Sequence, residues 1–551
     1  MKSLLIFSGM LVWMGCSVAQ PTVTAEALNP PRQPKLIIGI TVDQMRYDYL
    51  ERYRDDFGER GFKLLMDEGF LCSDVQYNYM PTLTAPGHAS IYTGTTPAYH
   101  GIIANDWFRK DVGDTTYCTR DLSVQGVGTS TTAGQMSPIH MFATTIGDEL
   151  KVFSNERSKI IGISLKDRGA ILPAGRRADA AYWFVGANEG NWVTSSWYMN
   201  ELPPWVQQFN REKKVDTYLS NGWDLLKPLA TYDESMEDNN PYEAPFKGTI
   251  RPVFPYLLDS LKALNGGYEL IKSTPWGNTL TVDFAIKAID NEHLGEDDMT
   301  DMLCVSFSAT DYVGHQFGVH SMETQDAYLR LDQDLERLIE YLDQKVGRDN
   351  YLLFLTADHG GAPTPSYMKT LNDGADYWKP DDLVTKVDSM LDVQVGPANW
   401  VRCYFNDQFW LNWDAVKGSV VEKNTIEDLV VDFCTGYRGV YRAYAAHDMA
   451  KGFRMSPIAS EVQFGFNPKR SGDVLIVTDP GWIKYGPQGT HHGSPFLYDT
   501  HVPAMFFGHT VKHGSTHDLQ SICDVAATVC ALAKIPFPDV CLGRPIGQIL
   551  K

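Results

Sequence analysis

Four short apolar runs, each ending at a polar or charged residue, constrain this chain more than any other feature. Lys35-Leu-Ile-Ile-Gly-Ile-Thr-Val42 stops at Asp43, and Lys159-Ile-Ile-Gly-Ile-Ser-Leu165 stops at Lys166. Met302-Leu-Cys-Val-Ser-Phe307 ends shortly before Asp311, and Tyr351-Leu-Leu-Phe-Leu-Thr356 just before Asp358. Near-continuous Leu, Ile and Val over this length marks strands buried on both faces, as in a parallel sheet. Helical patterns lie between the runs, notably Tyr328, Leu331, Leu335, Leu338, Leu342 and Val346 at spacings of three and four. The alternation predicts an α/β sandwich with a mainly parallel central sheet. In such sheets ligands collect beyond the carboxyl ends of the strands, so the chemistry belongs where these runs stop.

Two stretches break the alternation, at about residues 181–250 and 361–475, and read as insertions on a catalytic domain spanning 35–551. The Trp-rich part of the first, around Trp183, Trp192, Trp197 and Trp205, is expected to pack a core rather than to form a lid. Lys2, an apolar run to Trp13 and Ser17-Val-Ala19 give residues 1–19 the form of a secretion signal, with 20–34 as an N-terminal extension. A lipid anchor at Cys16 is the lesser alternative. The run is too short to span a bilayer and no later segment reads as transmembrane, so the expected location is the periplasm.

The balance of 48 basic and 68 acidic residues gives a net charge of −20, which opposes binding to nucleic acid and leaves small molecules as the expected partners. Any anionic substrate must be held by locally concentrated positive charge. Nothing in the pattern calls for a second copy, and a monomer is expected. Outside the signal lie Cys72, Cys118, Cys304, Cys403, Cys434, Cys523, Cys530 and Cys541. An exported protein permits disulfides among them. Cys523 and Cys530 are separated by about 10.5 Å of helical rise and cannot pair with each other.

Asp43, Asp311, His315, Asp358, His359 and His492 are the candidate metal ligands. Carboxylate oxygen and imidazole nitrogen suit a catalytic zinc, and six such residues suit two ions. Asp311 and His315 have helical i, i+4 spacing and can face one ion, while Asp358-His359 puts two donors on a sharp turn after a strand. The plainer alternative is a helix salt bridge for the first pair and a cap for Asp358. Thr84, in Pro81-Thr-Leu-Thr-Ala-Pro-Gly-His88, is the candidate nucleophile and is expected to be the N-cap of a helix ending at Gly94. A hydroxyl needs a base or a metal beside it to act, so this role depends on the ligands converging on Thr84. His88 and His100 are expected to pack or cap.

These fragments carry a family resemblance. Thr41-Val-Asp-Gln-Met-Arg46, Pro81-Thr-Leu-Thr-Ala-Pro-Gly-His-Ala-Ser90, Thr93-Gly-Thr-Thr-Pro97, Ala309-Thr-Asp-Tyr-Val-Gly-His315, Ala357-Asp-His-Gly360 and Thr490-His-His-Gly-Ser494 resemble the alkaline phosphatase superfamily. Within it the chain is similar to the branch of nucleotide pyrophosphatase/phosphodiesterases and PafA-type periplasmic alkaline phosphatases, which Thr in place of Ser supports. The resemblance implies the three-layer alkaline-phosphatase-like sandwich and two Zn2+ per chain, one on Asp311, His315 and His492, the other on Asp43, Asp358 and His359 beside Thr84. His492 is preferred to its neighbour His491 because the family's ligand immediately precedes Gly.

The mechanism it implies is attack of Thr84 on a phosphate monoester, a phosphothreonine intermediate, and hydrolysis at an alkaline optimum. Asn105, Lys166 and Arg168 match the PafA-type residues that meet a dianionic phosphoryl group. No carboxylate set for a third, magnesium site is evident, and no Cys-x-Pro-x-Arg sulfatase signature occurs. A phosphodiesterase or nucleotide pyrophosphatase on the same site is the nearest alternative, and a non-catalytic protein capturing phosphorylated ligands is the alternative of another class.

Overall fold

In the computed structural model, which describes residues 33–452, 456–484 and 486–550, the four apolar runs are strands. The expected secretion signal, residues 1–19, lies outside the described residues. We number the strands of the main sheet β1 (Leu36–Val42), β2 (Phe70–Gln76), β3 (Ile160–Ser164), β4 (Ala180–Val185), β5 (Asn191–Ser195), β6 (Asp301–Phe307), β7 (Tyr351–Thr356) and β8 (His501–Gly508). Their order is β2-β8-β7-β1-β6-β3-β4-β5, with short strands continuing both edges. The five central strands from β7 to β4 are all parallel to their neighbours, and the flanking β8, β2 and β5 pair antiparallel. All seven residues of β1 are buried, as a strand covered on both faces requires.

Register lines up the ends of these strands. Thr41 pairs with Thr356 on one side and Ser306 on the other, and Ser306 pairs with Ser164, so four hydroxyl residues form one row across β7, β1, β6 and β3. Asp43, Asp358 and Lys166 each follow their member of that row by two residues, and Asp311 follows by five. The row explains why residues so far apart in sequence leave the sheet at one level.

The helices that matter for the site are α1 (Thr84–Thr93), α2 (Asp167–Ala174), α3 (Trp276–Asn291), α4 (Ala309–Phe317) and α5 (Met322–Lys345). In α5 the expected stripe of Tyr328, Leu331, Leu335, Leu338 and Leu342 is buried, each at 1% exposure or less, and Val346 caps the helix just beyond it. Each such leucine contributes about 2 kcal/mol of transfer free energy. In α1 every one of the ten residues is buried, so the segment carrying Thr84 has no solvent face.

One expectation needs correction. The region beginning at about 181 opens with sheet rather than with an excursion, because β4 and β5 extend the central sheet. Aromatic and β-branched residues in Ala180–Val185 and Asn191–Ser195 fit a covered strand as well as they fit an insertion core. Trp183 and Trp192 are buried at 2% and 1%, and Trp192 stacks on Phe284 of α3 at 4.3 Å. The later stretch carries its own antiparallel sheet, Val401–Phe405, Gln408–Leu411, Val474–Thr478 and Val440–Ala445 in that spatial order, over a separate apolar cluster that includes Trp378, Leu391, Ile426 and Ile476. Among the described residues all eight cysteines are free thiols.

Candidate active site

Beyond the carboxyl ends of the parallel strands, the six candidate ligands converge in two overlapping groups. Asp43, Asp358 and His359 form one set whose donor atoms lie within 4.8 Å of one another. In the other, the Asp311 Oδ1 lies 3.1 Å from His315 Nε2 and 3.5 Å from His492 Nε2. Asp311 and His315 do share one face of α4, as their spacing required. The groups touch, because the rings of His359 and His492 stack with centroids 3.5 Å apart. His491 also lies near, its ring 5.6 Å from that of His315. Of the six, only the His315 side chain has appreciable exposure, 29%.

Backbone carbonyls set the imidazoles. His315 Nδ1 donates to Thr490 O at 2.8 Å, His359 Nδ1 to Gly360 O at 2.9 Å and His492 Nδ1 to Thr82 O at 2.8 Å, which leaves each Nε2 facing the carboxylates. A ligating histidine needs this arrangement, since the bond at one ring nitrogen fixes which nitrogen is offered to a metal. Burial holds His359 and His492 below the ordinary histidine range, in the neutral form that binds metal. For His315 burial acts the same way, but the adjacent Asp311 outweighs it and raises the ring.

The carboxylate oxygens are only partly met by protein donors. Asp43 Oδ1 and Asp358 Oδ2 are fully buried without a hydrogen-bond partner. Burial, then the charges of Asp311 and Asp358, drive Asp43 well above the usual carboxylate range. Orphaned carboxylate oxygens beside neutral imidazoles form a donor set suited to a divalent cation. Part of the charge is met by Lys166, whose Nζ lies 2.6 Å from Asp43 Oδ2 and 2.5 Å from Asp311 Oδ2. Burial disfavours the charged ammonium there, but Asp311 and Asp43 outweigh it and raise the lysine above its ordinary value.

Thr84 is 1% exposed, and its Oγ1 is 3.5 Å from His359 Nε2. It is the first residue of α1 rather than its N-cap: Leu83 holds that position, and its side chain makes no capping bond. The Thr84 hydroxyl is therefore directed to the carboxylate–imidazole cluster. Asn105 takes over part of the capping, its Oδ1 accepting the Ala85 N–H at 2.9 Å. Arg168 donates to the Tyr117 hydroxyl at 3.0 Å, while its Nε is buried with no partner. The residues expected to meet phosphate thus border the ligands and Thr84 from β3, α2 and the segment after α1.

Three residues join the site that the sequence did not put forward for it. His88 Nδ1 is 3.2 Å from Asp358 Oδ2 and 2.9 Å from Thr84 O, and its Nε2 is 2.8 Å from Ser306 Oγ. It packs, as expected, but against a ligand. Gln44 bridges the two groups, its backbone N–H donating to Asp358 at 3.1 Å and its Nε2 to Asp311 at 2.7 Å. Gly87 is the third: a Cβ there would collide with the backbone oxygen of Asp358, so only a hydrogen atom fits between α1 and that turn. The positions of Gln44 and His88 beside conspicuous motif residues were the available signal.

The family model for type I phosphodiesterase / nucleotide pyrophosphatase matches residues 37–511. The chain belongs to that family. Over 548 residues it is 42% identical to a protein of Myroides odoratus named calcium-transporting ATPase, covering 99% of each chain. It is 42% identical to alkaline phosphatase PhoV of Synechococcus elongatus, over 97% of this chain and 95% of the relative. Alkaline phosphatase PafA of Elizabethkingia meningoseptica is 39% identical over 98% of both chains. The crystal structure of wild-type PafA superposes with a TM-score of 0.91, covering 95% of this chain and all of that one. No helix among the described residues is long and apolar enough to cross a membrane.

Proposed function

We propose that this protein is an exported, periplasmic alkaline phosphatase that hydrolyses phosphate monoesters through a phosphothreonine at Thr84 and works with two zinc ions. The observation that carries the reading is the buried pairing of Lys166 with both Asp43 and Asp311, in the cluster that borders Thr84. Whole-length similarity to alkaline phosphatases supports it.

Zinc held by Asp43, Asp358 and His359 and by Asp311, His315 and His492 would supply Lewis acidity to the hydroxyl and to the leaving oxygen. The chain's own residues do the rest. Asn105 donates its amide N–H to one phosphoryl oxygen, and Lys166 and Arg168 balance the second negative charge that distinguishes a monoester from a diester. Thr84 Oγ1 bonds to phosphorus as the bond to the alcohol oxygen breaks, and the alcohol leaves with a proton. Water then attacks phosphorus from the vacated side, the Thr84 Oγ1–P bond breaks, and inorganic phosphate departs as the hydroxyl is restored.

Membership of a phosphodiesterase family favours one second reading, diester or nucleotide pyrophosphate hydrolysis on the same residues. Comparing kcat/KM for an aryl phosphate with that for its methyl diester tests between them. The monoester is expected to react faster, and preference for the diester would overturn the monoesterase assignment.

A further inference from the structure

In a chain of net charge −20, one cavity of about 760 Å³ is lined by four cationic side chains, Arg109, Lys110, Lys469 and Arg470, against a single acid, Asp111. It lies between the hairpin of Asp106–Arg109 with Asp114–Tyr117, which begins directly after Asn105, and a turn near the end of the second insertion. None of the six candidate metal ligands lines it, nor does Thr84. Its volume is that of a small-molecule site, roughly 300–1,000 Å³.

Two of the four cations are answered within the protein. Arg109 pairs with Asp111 at 2.5 Å and Lys110 with Asp473 at 3.3 Å. Among the described residues, Lys469 and Arg470 have no ion-pair partner. Arg470 Nη1 donates to Gly101 O, and to His140 O at 2.8 Å, while its Nε and Nη2 have no acceptor among the described residues. The guanidinium carbon stands 3.9 Å from the ring centroid of Phe142 and 5.0 Å from that of Trp107, so two aromatic faces hold it in place. Burial, then the like charge of Arg109, pull this arginine down to about 10, the direction of a cation without a counter-ion. Burial and then Arg470 hold His140 down at about 4, so the imidazole on the same cavity stays neutral.

The turn that carries the unanswered pair is fixed in advance. Asn467 N donates to Ser471 Oγ at 3.0 Å, Ser471 N returns a bond to Asn467 O at 2.8 Å, and Asn467 Nδ2 ties the turn to Ala98 O at 3.0 Å. Phe108 and Ile139 give the same cavity an apolar wall, and Ile139 is 42% exposed. A positioned guanidinium with open donors suits a carboxylate, sulfonate or phosphate group, and the apolar wall suits a hydrocarbon body. We propose that this cavity is a ligand site apart from the active site, for an organic anion whose charged group meets Arg470 and Lys469 and whose apolar body packs on Phe108 and Ile139.

The probe is naphthalene-1-sulfonate, which carries no phosphate to hydrolyse. Titration calorimetry on the purified protein is expected to give one site per chain, weakened by added salt, and at least about tenfold tighter than for 1-naphthylmethanol, an uncharged molecule of like body. Arg470→Gln should weaken sulfonate binding by about tenfold or more. Lys469→Glu and Ile139→Glu, both at exposed positions, guard against a folding failure in that variant and should each weaken binding by about fivefold or more. Arg168→Ala, outside the cavity, should bind the probe as the wild type does. Absence of binding by the wild type overturns the proposal, as does equal affinity for the uncharged molecule or undiminished binding by the three cavity variants. A loss in Arg168→Ala matching that in Arg470→Gln would put the probe in the active site and overturn it as well.

Discussion

His359 and His492 stack face to face, ring centroids 3.5 Å apart and planes within 13°, although the family resemblance assigns them to different metal ions. Each ring is thereby a wall of the other's site. His492→Ala is expected to lose metal from the Asp311 group and to loosen the Asp43 group. His491→Ala, which leaves the bond from His492 to Thr82 intact, should keep both. Metal content by elemental analysis after dialysis decides between them. Loss from His491→Ala alone would move the ligand assignment to that residue.

Thr84→Ala is expected to abolish the acid-stable phosphoenzyme and lower kcat for an aryl phosphate by about 10³ or more, while Thr84→Ser retains both. Labelling with 32P-substrate followed by acid quench reads this directly. Undiminished turnover of the Ala variant would remove Thr84 from the mechanism.

Arg168 has a buried Nε without a partner, so its charge is available to a dianion. Arg168→Ala is expected to reduce kcat/KM for the monoester by about 100-fold and that for the methyl diester by less than about tenfold. Equal losses would mean that the guanidinium supports the fold rather than reading the charge of the substrate.

His88 acts on a ligand and is expected to be a positioning residue. His88→Phe keeps the ring volume but removes the nitrogen that lies 3.2 Å from Asp358 Oδ2, and metal at the Asp43 group should be held about 10- to 100-fold more weakly. His88→Asn, which still donates from near the Nδ1 position, should recover part of this. The readout is zinc release to a chromophoric chelator, and identical release curves would leave His88 with packing alone.

Asp332, 2% exposed, accepts the Gly58 and Phe62 N–H groups at 2.7 Å each, yet burial outweighs these bonds and pushes its carboxyl up to about 6. A folded-state value above the unfolded one makes the proton bind the native protein more tightly. Its contribution is therefore complete below about pH 4 and is lost as pH rises through about 6, by about 3 kcal/mol. Urea midpoints measured from pH 4 to 7 should show this decline in the wild type and a flatter profile in Asp332→Asn. Parallel profiles would assign the titration to other groups.

The strand ends were readable because a doubly covered strand is apolar along its length, so Asp43, Asp311 and Asp358 stand out as interruptions. Thr84 was readable as a candidate nucleophile but not as an N1 residue, since helix caps shift by one position without changing the local pattern. His88 and Gln44 gave no isolated signal: what matters in each is a contact with a carboxylate more than 260 residues away, and periodicity carries no information on such pairs. The start of the first insertion was missed for a related reason, as β4 and β5 resemble any aromatic core segment until their register with β3 is known.

The hydroxyl row Thr41, Thr356, Ser306 and Ser164 makes the active site a readout of strand alignment. A slip of one residue in any of these strands would turn its side chains to the opposite face and carry a ligand or Lys166 away from its partners. A misaligned sheet thus cannot retain a working centre, and capture of the first metal ion would certify that the chain has closed in the right order.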